Sequence, residues 1–166
     1  MKDTMNTSFE QMPADARLWV YPAGRPLSST EQQSLLQEVH TFLQNWRAHG
    51  KPLRAAATVV EDYFLLVAAD PHAEPPSGCS IDAQVGFIRQ LAQHYDLAFL
   101  ERGRVYFRAA GGIDYLPLGA VKEAVTEGRL TAETPVYKQE AATKAEWGCV
   151  PAVDTWLKRY FAKTKA

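Results

Sequence analysis

The chain of 166 residues has only two cysteines, Cys79 and Cys149. They lie far apart and make no C-x-x-C pair, which excludes a disulfide framework. The four histidines, at 40, 49, 72 and 94, show no zinc-ligand spacing. Reduced thiols in a cytosolic protein are the simplest expectation, with no metal and no cofactor called for. Long apolar runs are also missing: nothing approaches the roughly 18 residues that a membrane-spanning helix needs. Met1 to Met12 is polar and lacks the apolar stretch of a secretory signal. The net charge is only −1 and the charges are interspersed, so no global field draws the chain to nucleic acid or to a membrane. A phosphate-cradling glycine loop is absent too. The one Gly-Lys word is Gly50-Lys51, with Pro52 where Ser or Thr is required and Asn45 where the first glycine belongs. ATP hydrolysis through such a loop is therefore not expected.

What is present is core-forming material. Hydrophobic residues make up 46% of the chain, enough for a domain of this length to bury roughly 70% of its unfolded surface. Residues 1–16 read as a loose arm. Arg17–Tyr21 reads as a strand, ended by Pro22, Gly24 and Pro26. Ser28 with Glu31, or equally Ser29 with Gln32, fits a capping box. Leu35, Leu36, Val39, Phe42, Leu43 and Trp46 then fall on one helical face, and Gly50 and Pro52 stop the helix. Leu53–Val60 and Tyr63–Ala69 read as a tight hairpin around Glu61-Asp62. After a proline-rich loop, a second helix is expected from about Ser80 to Tyr95, with Ile81, Val85, Ile88, Leu91, Ala92 and Tyr95 as its buried stripe. Leu97–Glu101 and Arg104–Ala109 are strand candidates. Gly111-Gly112 turns into a strand at Ile113–Leu116. Leu118–Glu127 reads as a short helix, Val136–Lys138 as a strand, Lys138–Glu146 as polar loop and Asp154–Lys163 as a final helix. The expected class is α+β. The first six elements run β-α-β-β-α-β, the order of a ferredoxin-like sandwich with helices on one face of an antiparallel sheet. The division expected is an arm (1–16), a ferredoxin-like unit (17–101), a second small unit (104–153) and a C-terminal helix (154–166).

Several words along the chain are specific. They are Phe9-Glu10-Gln11-Met12-Pro13, Trp19-Val20-Tyr21, Trp46 through Leu53, Ser77-Gly78-Cys79-Ser80-Ile81-Asp82, Ala142-Thr143-Lys144-Ala145 and Pro151 through Phe161. On these the chain resembles, over nearly its full length, a family of small bacterial proteins often labelled "ABC transporter ATPase". The resemblance carries no catalytic residues, and the missing phosphate loop argues against the label. Residues 104–153 carry a second set: Val105-Tyr106-Phe107, Gly111-Gly112, Pro117-Leu118, Gly128-Arg129-Leu130, Thr134-Pro135-Val136-Tyr137, Trp147 and Val150-Pro151-Ala152. This stretch is similar to GYF-like adaptor domains. It departs from them at Leu116, in lacking the Gly-Tyr-Phe word, and in an inserted Lys138–Glu146. The similarity implies a face of exposed aromatics for a protein or proline-rich peptide, with Tyr106, Phe107, Tyr137 and Trp147 as its candidates.

The candidate for chemistry is Cys79. Read as lying just before a helix N-cap at Ser80, it would sit among unpaired amides that favour a thiolate. The same amides, with Gly78, Ser80, Asp82 and Lys51, would suit an anionic ligand, although the Asp82 charge competes for that positive end. The topology puts the loop at His49-Gly50-Lys51 on the same sheet edge as the loop holding Asp70 and His72. His49 or His72 beside Cys79 would be the minimum for a nucleophilic thiol. The plainer expectation is a packed Cys79, since free cysteines are among the most buried residues, with His49 as a helix C-terminal cation and His72 solvated. Arg102, Arg104 and Arg108, with Tyr106 and Phe107 between them, are too few cations to claim a nucleic-acid surface. The expected function is a non-enzymatic interaction module, with a thiol-dependent enzyme or small-ligand binder as the alternative.

Overall fold

Ser28 opens α1 (Ser29–Gln44) with the first of the two capping boxes: its hydroxyl accepts from the Glu31 N–H, and the Glu31 carboxylate accepts from the Ser28 N–H. Leu35, Val39 and Leu43 bury the inward stripe of α1. The helix stops at Gln44, so Trp46 reaches the core from beyond it. A small hairpin not foreseen in the sequence follows, β2 (Arg47–Ala48) with β3 (Lys51–Pro52). His49 and Gly50 both take positive φ in its two-residue turn, which matches the right-handed twist of the flanking strands. The computed structural model describes residues 8–161.

β1 (Arg17–Pro22), β4 (Ala55–Val60) and β5 (Phe64–Ala69) form an antiparallel sheet in the order β1-β5-β4. Glu61 and Asp62 turn the β4–β5 hairpin, again with positive φ. The continuous apolar run of β5 is buried along its whole length, as a central strand covered on both faces requires. One face, with Tyr21, Ala57, Leu65, Val67 and Ala69, packs with α1 and α2 (Gly78–Tyr95) around Leu35, Val39, Ile88 and Leu91.

The strand expected at Leu97–Glu101 does not form. Asp96 ends α2 in the left-handed region. Leu97 and Phe99 then turn into the core, and Ala98 gives a single backbone bond to Ala23. The edge of β1 away from β5 is taken by a distant segment. The Leu18 N–H donates to the Ala142 carbonyl, Arg17 bridges Thr143, and the Lys144 N–H donates to the Ala16 carbonyl. The polar stretch read as an inserted loop thus supplies backbone partners to an otherwise open strand edge. Residues 8–16 are no loose arm either: Met12 and Ala16 are buried, and the Lys144 ammonium donates to the carbonyls of Phe9, Glu10 and Met12. The first seven residues of the expected arm lie outside the described residues.

The chain accordingly divides into two units. Unit 1 takes the chain up to Leu100 together with Glu140–Glu146; unit 2 takes Glu101–Gln139 and the chain from Trp147 on. Unit 2 holds a four-stranded antiparallel sheet in the order β7-β6-β8-β9, built from β6 (Arg104–Ala109), β7 (Gly112–Pro117), β8 (Pro135–Tyr137) and β9 (Cys149–Pro151). Strand alternation sends Val105 and Phe107 of β6 into a core with Val121 and Ala124 of α3 (Val121–Thr126), Leu130, Val136, Ala152 and Leu157. The final helix expected from Asp154 is instead two 3-10 turns, Ala152–Asp154 and Trp156–Tyr160. Thr155 between them is extended and accepts from the Leu157 N–H, so it interrupts one turn and caps the next. Lys163, the end of that expected helix, lies outside the described residues. Among the described residues the architecture is α+β, with three α-helices and three sheets.

Candidate functional site

The second helix begins two residues earlier than its sequence suggests. Ser77, not Ser80, is the N-cap: its hydroxyl accepts from the Ser80 N–H, and the Ser80 hydroxyl accepts from the Ser77 N–H. Gly78 and Cys79 are therefore the first two helical residues, and Ser80 lies inside the first turn. This register also resets the buried face. Ser80, Gln84, Ile88 and Leu91 are its buried residues, while Ile81 and Val85 of the expected stripe are only half-buried. Buried Ser80 has its carbonyl filled by the Trp46 indole N–H at 2.7 Å, which ties the start of α2 to the end of α1.

Along this seam lies an open groove of about 840 Å³, within the usual size of a ligand site. Phe42 and Phe87 stack across it, with ring centroids 4.5 Å apart and planes within 6°. Phe42 also leans on Trp46, with centroids at 6.1 Å. These three rings make an apolar floor. Exposed Cys79 and His49 both line the same groove, as does Arg47. The polar groups from α1 are mostly engaged. The Thr41 hydroxyl donates to the Gln37 carbonyl and the Asn45 amide to the Thr41 carbonyl. The Glu38 carboxylate accepts from the Tyr95 hydroxyl at 2.5 Å. Burial, and then that neighbouring carboxylate, raise the Tyr95 phenol above its ordinary value. Arg47, His49 and Cys79 have no side-chain hydrogen-bond or ion-pair partner among the described residues.

The remaining candidates fall elsewhere. Lys51 is exposed and lies 3.9 Å from Glu74, outside the groove lining. His72 does not line the groove; its Nε2 lies 2.8 Å from an Asp15 carboxylate oxygen. The His72 backbone N–H donates to Asp70, which also pairs with Arg54 at 2.5 Å. Burial pushes the Asp70 carboxyl up, but the His72 amide and the Arg54 guanidinium outweigh it and hold the group below the usual carboxylate range. Asp82 is exposed and outside the lining, one turn into α2. Gly78 is an exposed first-turn residue and is not among the lining either.

In unit 2 the aromatics expected to form an exposed face are largely covered. Tyr106 is 0% exposed and Tyr137 2%, and Phe107 is packed in the unit 2 core. Arg104 donates to the Tyr106 hydroxyl, and Arg108 donates to that of Tyr137. Trp147 is half-buried and stacks on Tyr137 at 6.1 Å. Strand alternation accounts for the burial of Phe107. β6 turns Phe107 inward, and its opposite face is an arginine–tyrosine layer, with Arg104 also lying 4.1 Å over the Tyr115 ring.

Phe87 and Arg47 were missed by reasoning from the sequence. Phe87 falls off the expected stripe of α2, and a large aromatic off the stripe was the available signal. Arg47 carries no local signal, since the hairpin that holds it was itself not foreseen. Among the described residues no group of three or more His, Cys, Asp or Glu side chains converges to hold a metal ion, and no helix is long and apolar enough to cross a membrane. No family model, no curated protein and no solved structure matches the chain.

Proposed function

We propose that this protein works by binding rather than by turnover, and that it binds in the groove between α1 and α2 of unit 1. One observation carries the reading: an open groove of about 840 Å³ has a floor of three aromatic rings and unpartnered polar side chains on its lining. Apolar walls with a few convergent polar groups are the usual make-up of a recognition site. We read unit 1 as a ferredoxin-like sandwich reduced to three strands, supported by the order β1-β5-β4 with two helices on one face. We read unit 2 as GYF-like on its motif words, and as a second surface for a proline-rich peptide through half-buried Trp147. The test of the groove is amide chemical-shift mapping with a set of small aromatic fragments. Shifts should cluster at Phe42, Trp46, Cys79, Ala83 and Phe87; shifts confined to unit 2 would overturn the assignment.

The exposure of Cys79 in the same groove as His49 favours a second reading, thiol chemistry assisted by the imidazole. On native protein, iodoacetamide should alkylate Cys79 well before half-buried Cys149, and His49→Gln should slow the Cys79 reaction. Unchanged alkylation in that variant would remove the imidazole from the chemistry.

A further inference from the structure

We infer that the occupant of the groove is an amphipathic organic anion: a flat apolar body on the Phe42–Phe87 floor, and a carboxylate, sulfonate or phosphate group held by Arg47 and His49. This rests on the groove being the binding site, and it goes further by assigning the ligand's chemical class.

Charge pairing in unit 1 supplies the argument. Elsewhere in unit 1 several cationic side chains already have an acid: Arg25 has Glu31 at 2.9 Å, Lys51 has Glu74 at 3.9 Å, and Arg54 has Asp70 at 2.5 Å. Arg47 and His49 are different. Both line the groove, both are exposed, and neither has a partner among the described residues. They are brought together by the β2–β3 hairpin, whose two-residue turn holds His49 at a φ of 54°. A non-glycine residue in the left-handed region is uncommon, so the turn fixes the place of that side chain at some conformational cost. The single acid on the lining, Glu38, lies on α1, and its carboxylate is engaged by Tyr95. The lining therefore grades from an engaged acid, across the stacked rings, to two unpartnered cation-forming groups. A guanidinium binds carboxylate, sulfonate or phosphate through paired donors. A neutral ligand with the same body would leave those donors unused.

Two fluorescent probes with similar bodies and different charge make the test: anilinonaphthalene sulfonate, an anion, and phenylnaphthylamine, its neutral counterpart. Both are titrated into the full-length protein at fixed ionic strength. The anion should bind at a single site at least about tenfold tighter than the neutral probe, the difference expected of one charge-assisted contact. Arg47→Gln and His49→Gln should each erode that preference and leave the neutral probe unchanged. Ala83→Trp and Thr41→Trp fill the groove from exposed lining positions, and each should abolish both probes while the far-ultraviolet circular dichroism stays native. Equal affinity for the two probes, with Ala83→Trp still blocking both, would overturn the anion assignment and leave the groove standing. Probe binding that survives both filling variants would overturn the groove and the ligand class together.

Discussion

Lys144 shows how much one side chain can hold. Its ammonium donates to three backbone carbonyls, those of Phe9, Glu10 and Met12, and lies 5.3 Å from the Phe9 ring centroid. A hydrogen bond with one charged partner contributes about 1.5–3 kcal/mol when well sheltered, and partial solvent access reduces that. Lys144→Met should therefore lower the unfolding free energy by about 1–2 kcal/mol, read as a shift in the urea midpoint with an unchanged slope. Gln84 behaves in the opposite way. It is 1% exposed, its carbonyl oxygen accepts from Tyr21, and its amide nitrogen has no partner. Burying an unpartnered donor offsets what the carbonyl gains. Gln84→Met should leave stability within about 1 kcal/mol of the parent in thermal melts, whereas a loss beyond about 3 kcal/mol would mean that the amide is satisfied. The sequence could not reveal Gln84 as a core residue: its chemistry says surface, and only the α2 register places it inside.

At the level of elements, the caps decide where the helices start and so which residues face the groove. Ser28→Ala removes the bond to the Glu31 amide and should cost about 1 kcal/mol. Ser77→Ala should cost a similar amount by loss of the cap on α2, and it should also loosen the Cys79 end of the groove. Faster hydrogen exchange at the first turn of α2 in that variant, without change in α1, is the measurement. The β4–β5 turn stores strain of another kind, because Glu61 and Asp62 sit at φ 54° and 58°. Asparagine tolerates this region better than glutamate, so Glu61→Asn should raise the melting temperature modestly. The helical periodicity of α1 and the apolar run of β5 were legible because each is set by local pattern. Leu97–Glu101 departs from its strand pattern for a tertiary reason: its apolar residues suit a strand, but the edge that it would join is filled by residues 142–144.

For the whole chain, acid stability is the property that integrates these contacts. Arg25, and then the Ser28 amide, hold the Glu31 carboxyl down at about 2. The Asp70 carboxyl is also lowered: burial raises it, but the His72 amide and the Arg54 guanidinium outweigh that. A carboxyl whose folded pKa lies below its unfolded value stabilises the fold above the unfolded pKa and loses that contribution as pH falls through the folded one. The unfolding midpoint should accordingly be flat above pH 5 and fall from about pH 4 downward. Asp70→Asn should be less stable than the parent at neutral pH, with the gap closing as the pH is lowered; a constant gap would rule out the linkage. The sequence by itself determined the α+β class, most of the element order and the absence of a phosphate loop, and it narrowed the α1 cap to Ser28 or Ser29, because these follow from periodicity, turn residues and fixed motif spacing. Its topology also put His49, Lys51, Asp70 and His72 at the edge of Cys79, and of these four His49 alone shares the groove lining with it. Only the tertiary structure decided that residues 140–146 belong with unit 1, that Tyr106 and Tyr137 are buried, and that Phe42, Phe87 and Arg47 complete the groove. Those outcomes rest on contacts between residues far apart in the chain, and no local pattern encodes which distant segment reaches a given edge first.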